Sequence, residues 1–231
     1  MPTILITGAN RGLGLEFCKQ YAEAQWHVMA CCRNPDTAEK LLELKRQFSE
    51  LQIYPLNVEN FSEIDDLSRH LSNETIDVLI NNAGVYGDQS GRGFGKLDYQ
   101  KWTQSLIINA QSPIKMAEAF LPQLKRSEKK LIVSISSLMG SMADNSGGGS
   151  ILYRSSKAAL NSAMKSLAID LQNQGVGVLI FHPGWVQTDM GGPNGLINAH
   201  ESITGMRNVI EQFQLTQSGQ FIKYDGTMMP W

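Results

Sequence analysis

A chain of 231 residues with 42% hydrophobic and 18% charged content can bury a core the size of one α/β domain, which excludes a disordered or fibrous class. Its formal charge of −2 lacks the basic stripe that nucleic-acid binding requires, and no apolar run approaches the ~18 residues of a membrane-spanning helix. The three cysteines (Cys18, Cys31, Cys32) form no disulfide framework and the four histidines show no ligand spacing, so reduced core thiols and no metal are expected. The first residues lack a basic leader, and the expected location is cytoplasmic.

Thr3–Thr7 is a short apolar run that ends in Gly8-Ala9-Asn10-Arg11-Gly12-Leu13-Gly14. Leu13, Phe17, Tyr21 and Ala24 then recur at roughly helical spacing. Strand, glycine turn and helix together make a phosphate site, because glycine lets backbone approach a pyrophosphate and the helix start offers unpaired N–H groups. The G-x-x-x-G-x-G spacing is one residue longer than the commonest dinucleotide fingerprint and lacks the Gly-Lys-Ser/Thr ending of a P-loop. A plain flexible turn is the competing explanation.

His27–Cys32 reads as a second strand, with Arg33 at its end and Asn34-Pro35 turning the chain. An acidic residue here would accept ribose hydroxyls. Arg33 instead offers donors suited to a phosphate, and Arg11 adds charge from the glycine turn, which selects NADP(H) over NAD(H). A solvated strand-end arginine is the bland alternative. Residues 37–50 read as helix, 51–56 as strand and 61–71 as helix. Asn57 and Val58 are placed to meet an adenine. Residues 75–80 form the fourth strand and run into Asn81-Asn82-Ala83-Gly84, whose asparagines can tie strand ends together or touch the cofactor.

Residues 85–97 are glycine-rich and aperiodic, either a substrate-side loop or inert surface. Residues 99–124 are helical, with Pro113 expected to bend or break them. Asn109, among Ile107, Ile108 and Ala110, needs polar partners; it is either structural or holds a water near the active site. Residues 130–136 form the fifth strand, with Ser137 at its end, and residues 142–150 make a glycine-rich excursion.

A helix over residues 151–173 then carries Tyr153 and Lys157, four residues apart on one face. An amphipathic helix face alone produces such a pair. With a cofactor and Ser137 nearby it becomes chemistry: a lysine ammonium lowers the tyrosine pKa, and the tyrosine exchanges a proton with a carbonyl oxygen that Ser137 hydrogen-bonds. Residues 176–181 form the sixth strand, Pro183-Gly184 turns the chain across the cofactor, and Trp185 either covers the site or packs in the core. Residues 189–198 are short of apolar anchors, 199–215 read as the last helix and 219–224 as the seventh strand. The alternation predicts one domain over residues 1–231: an α/β, Rossmann-type three-layer αβα sandwich around a parallel sheet of about seven strands.

These motifs, in this order, resemble the short-chain dehydrogenase/reductase family, and within it the C-factor and sniffer-like carbonyl reductases. The pieces that carry the resemblance are Thr7 through Gly14, Asn81-Asn82-Ala83-Gly84, Asn109, Ser136-Ser137, Tyr153 through Asn161, Pro183-Gly184-Trp185-Val186-Gln187-Thr188, and the closing Tyr224-Asp225-Gly226. The resemblance implies a catalytic tetrad of Asn109, Ser137, Tyr153 and Lys157: Tyr153 as acid/base, Ser137 orienting the substrate oxygen, Lys157 binding ribose, and Asn109 positioning a relay water. It implies NADP(H) contacts at Gly8, Asn10, Arg11, Gly12, Leu13, Gly14, Arg33, Asn57, Val58, Asn82, Ala83 and Gly84. Further contacts fall at Tyr153, Lys157, Pro183, Gly184, Val186 and, on the nicotinamide amide, Thr188. It also implies a substrate lid over residues 189–198 and a homodimer, or a homotetramer, paired through the long helices. The activity implied is NADPH-dependent reduction of a small-molecule carbonyl to an alcohol; the alternative is an NADP-binding signalling or scaffold protein of C-factor type.

Overall fold

The computed structural model describes every residue from Met1 to Trp231. Strands β1 (Thr3–Thr7), β2 (His27–Cys32), β3 (Leu51–Pro55), β4 (Val78–Asn81), β5 (Leu131–Ile135), β6 (Gly177–His182) and β7 (Gln220–Lys223) form one sheet in the order β3-β2-β1-β4-β5-β6-β7. Every neighbouring pair is parallel. Such strands are covered on both faces, which is why β1 and β5 are apolar runs buried along their whole length.

The covering helices are α1 (Gly12–Glu23), α2 (Glu39–Gln47), α3 (Phe61–His70), α4 (Tyr99–Leu106), α5 (Ser112–Lys125), α6 (Ile151–Asp170) and α7 (Ala199–Glu211). Ile4 and Ile6 of β1 face a core shared with Phe17 of α1, Leu41 of α2 and Ile203 of α7. Leu5 faces the opposite core, with Ile64 of α3, Phe120 of α5 and Met164 of α6. The two-residue period of the strand thus assigns helices to layers. Strand order reverses between β1 and β4, so the loops after these strands diverge and open a crevice at their carboxyl ends.

Of the departures from the sequence expectations, which include a last helix that ends at Glu211 and a fourth strand that starts at Val78, three have clear local causes. The helix expected from residue 37 is preceded by a 3₁₀ turn, Pro35–Thr37, and starts at Glu39. The helix expected to run to residue 173 ends at Asp170 and gives way to a 3₁₀ turn that stops at left-handed Gly175. The break expected at Pro113 lies earlier: Ile107–Gln111 is π-helical, and Pro113 sits in the first turn of α5, where a missing N–H is harmless.

Candidate active site

The crevice holds a cavity of about 230 Å³. Its floor is the glycine turn. Gly8 has φ +66°, and a Cβ on Gly14 would lie 2.2 Å from the Gly8 carbonyl oxygen, so turn and helix meet only because both residues are glycine. The helix start is open: Arg11, the N-cap of α1, makes no side-chain cap bond, and no acidic residue occupies the first turn. The first N–H groups of α1 therefore face the crevice with a positive helix end behind them, a fit for a pyrophosphate.

Gly8, Asn10, Arg11, Gly12 and Leu13 line this cavity. Arg33, Asn57 and Val58 line its β2–β3 end, and Asn82, Ala83 and Gly84 its β4 wall. Tyr153, Lys157, Pro183 and Thr188 close the remaining side. Gly14, Gly184 and Val186 stand behind the lining: Gly14 against Gly8, Gly184 (φ +85°) against Ile197 and Tyr224, and Val186 buried in a bridge to Ile197. Asn82 fastens two strand ends, its amide donating to the Thr7 carbonyl at 2.9 Å and the Gly8 carbonyl at 3.1 Å.

Cys32 and Asp189 are among the lining residues that the sequence reading did not assign to the cofactor site. Cys32, a free thiol, sits beside Arg33. Asp189 reaches across the mouth to Arg11, 3.0 Å away, with both side chains largely exposed. Asp189 follows Thr188 and opens the stretch expected as the lid, and both were signals for it. Trp185 is half exposed, and its indole N–H donates to the Gly191 carbonyl at 2.7 Å, so it does not pack in the core.

At the opposite end Tyr153 and Lys157 are both buried. The Lys157 ammonium donates to the Ile135 carbonyl at 2.7 Å and lies 5.8 Å from the Tyr153 ring centre. Burial pushes Tyr153 up to about 12, against a smaller downward pull from the Ser137 hydroxyl, and burial pushes Lys157 down to about 8. This reverses the expectation that Lys157 lowers the tyrosine pKa. Desolvation of the phenolate is the larger effect, and the ammonium is directed at a backbone carbonyl. The consequence favours donation, because Tyr153 stays a phenol throughout the neutral range.

Ser136 lines the cavity, but its hydroxyl is engaged by Asn161. Ser137 does not line it; its hydroxyl caps the following 3₁₀ turn by accepting the Met139 N–H at 3.1 Å, and it also approaches Tyr153. Asn109 is fully buried in the π-helical turn. Its amide donates to the Val85 carbonyl and to Ser156 Oγ, both at 2.9 Å, and its oxygen accepts the Val85 N–H at 2.8 Å. Asn109 thus clamps the backbone next to Gly84 to the helix that bears Tyr153. The loop after Val85 divides: Tyr86 packs on Tyr153 with ring centres 4.8 Å apart, whereas residues 90–95 are exposed surface. All three thiols are free and buried, as expected of core cysteines.

A doubly wound parallel sheet, an open glycine turn at its switch point and a buried Tyr-x-x-x-Lys pair define a dinucleotide-binding α/β oxidoreductase. The model of the family described as short chain dehydrogenase matches residues 2–196. The chain belongs to that family. It is 44% identical over 156 residues to C-signal of Myxococcus xanthus, covering 68% of this chain and 93% of the relative. Among solved structures it resembles carbonyl reductase Sniffer of D. melanogaster, with 35% identity, full coverage of both chains and a TM-score of 0.93. It also resembles an NADPH-bound carbonyl reductase from chicken fatty liver, at 31% identity, a TM-score of 0.90, and coverage of 100% of this chain and 99% of the other. No helix is long and apolar enough to cross a membrane.

Proposed function

We propose that this chain acts as a single domain, an NADPH-dependent carbonyl reductase that converts a small-molecule aldehyde or ketone to an alcohol. The observation that carries the reading is convergence: Arg33, the open start of α1, Tyr153 and Lys157 all border one cavity. The glycine turn and α1 would hold the pyrophosphate, Arg33 and Arg11 the 2′-phosphate, and Lys157 a ribose. The bound cofactor supplies the hydride. Ser137 orients the substrate oxygen, and the Tyr153 phenol delivers a proton to it. Lys157 keeps positive charge beside the developing phenolate. Asn109 holds Val85, and with it the wall opposite Tyr153, in place.

NADPH oxidation against a panel of aldehydes, ketones, diketones and quinones tests cofactor and chemistry together. Tyr153→Phe is expected to lower kcat by roughly 10²–10⁴-fold while NADPH affinity is retained; full turnover in that variant refutes the role. Arg33→Ala is expected to erode the NADPH-over-NADH preference, and an unchanged ratio refutes the phosphate assignment.

The likeness to C-signal favours a second reading, a cofactor-loaded signalling protein for which turnover is secondary. Failure of the whole panel alongside tight NADPH binding selects it. A homodimer through α4, α5 and α6 fits the exposed Ile169 on α6; sedimentation that shows a monomer at all concentrations rejects it.

A further inference from the structure

The helix that carries Tyr153 is not fastened by the residues that precede it. Ser150 is left-handed (φ 45°, ψ 45°), and its side chain makes no cap bond to α6. Residues 142–149 before it are exposed. The first-turn N–H groups of a helix have no partners within the helix itself. Here two of them are satisfied from across the site: the Leu152 N–H donates to Asp88 Oδ1 at 3.2 Å, and the Tyr153 N–H donates to Asp88 Oδ2 at 2.8 Å.

Asp88 is itself held by its neighbours. Asn109 grips Val85 by both backbone groups. The Tyr86 hydroxyl lies 2.6 Å from Ser150 Oγ, and its ring packs on Tyr153. A Cβ on Gly87 would come 2.2 Å from the hydroxyl oxygen of Ser105, which is fully buried and bonded to the Lys101 carbonyl. Residues 85–88 therefore lie flat between α4 and α6 and present one carboxylate to the start of α6.

The geometry points to Asp88 as a positioning residue for the proton donor: its carboxylate fixes the first turn of α6 and with it the placement of Tyr153 in the cavity. This rests on the reading of Tyr153 as the acid. A cap that served stability alone would shift the melting temperature and leave kcat in place.

Two variants of the full chain test this, Asp88→Ala without acceptors and Asp88→Asn with one. At saturating NADPH, with the best carbonyl substrate of the panel, Asp88→Ala is expected to lose about ten- to a hundredfold in kcat. NADPH Kd, read by cofactor fluorescence, stays within about twofold of wild type, because α1 and Arg33 are untouched. Asp88→Asn recovers part of the loss. If Asp88→Ala does not fold, Asp88→Asn carries both readouts. Wild-type kcat in the folded variants overturns the proposal, and so does a fall in kcat matched by an equal fall in NADPH affinity. Tyr153→Phe, assayed alongside, separates the two claims. Turnover lost there but intact in the Asp88 variants overturns the positioning alone; turnover retained there overturns the acid assignment and the positioning with it.

Discussion

Replacing Lys157 with methionine should make the protein more stable and less active. Lys157 is 5% exposed, and burial drops its pKa from 10.5 to about 8. At ~1.36 kcal/mol per pKa unit, keeping it charged at neutral pH costs about 3 kcal/mol relative to the unfolded chain. Methionine fills similar space without that cost but leaves the Ile135 carbonyl without its donor at 2.7 Å, a loss of about 1 kcal/mol. The net gain is about 2 kcal/mol, which for a chain of this size is roughly 4–8 °C in Tm. The sign with pH is specific. The folded pKa lies below the unfolded one, so the unfolded state binds more protons between about 8 and 10.5, and the wild type gains stability as pH rises through that window. The advantage of the variant is full below pH 8 and shrinks above it. Tyr153, with its folded pKa raised to about 12, contributes stability that is lost only above its ordinary 10, so it does not obscure the comparison. Thermal melts of both proteins without added cofactor, from pH 7 to 10, with NADPH oxidation at pH 7, are the assay. A variant that melts no higher at pH 7, or an advantage that ignores pH, refutes the argument.

His182 makes the same demand in a more acid window. Burial and Lys223 depress it from 6.5 to about 4, and its Nδ1 accepts the Leu138 N–H at 3.2 Å. Its contribution is complete above pH 6.5 and lost as pH falls to 4, up to about 3 kcal/mol. Urea melts should therefore show a steeper acid loss in wild type than in His182→Asn, and parallel profiles refute it. Asp189→Asn frees Arg11 from an exposed pair that is worth at most about 1 kcal/mol. Tm should hold, while NADPH binds up to about fivefold tighter and NADH gains less; an equal gain for both cofactors refutes a phosphate role for Arg11.

The fold was legible because its signals are local. Apolar runs such as 131–135 and helical spacing such as Phe17 to Tyr21 read the same before and after folding. The glycine turn and the Tyr153–Lys157 spacing were legible for the same reason. Element ends were less so. Asn60, Asp98 and Asn198 each cap the helix that follows and were readable in principle, whereas the π turn around Asn109 depends on Val85 and Ser156, distant in sequence. The direction of the Tyr153 shift was misread because burial is a tertiary quantity. Asp88 was invisible because nothing near it in sequence is a helix start; its partner helix begins at Ile151.

The anchoring of α6 from a different part of the chain has a consequence for how this protein can diversify. Residues 142–149 are exposed and are not what holds the helix they lead into. Insertions and deletions there can reshape the surface without moving Tyr153. Loop length becomes a free variable for selection while the geometry of the site stays fixed.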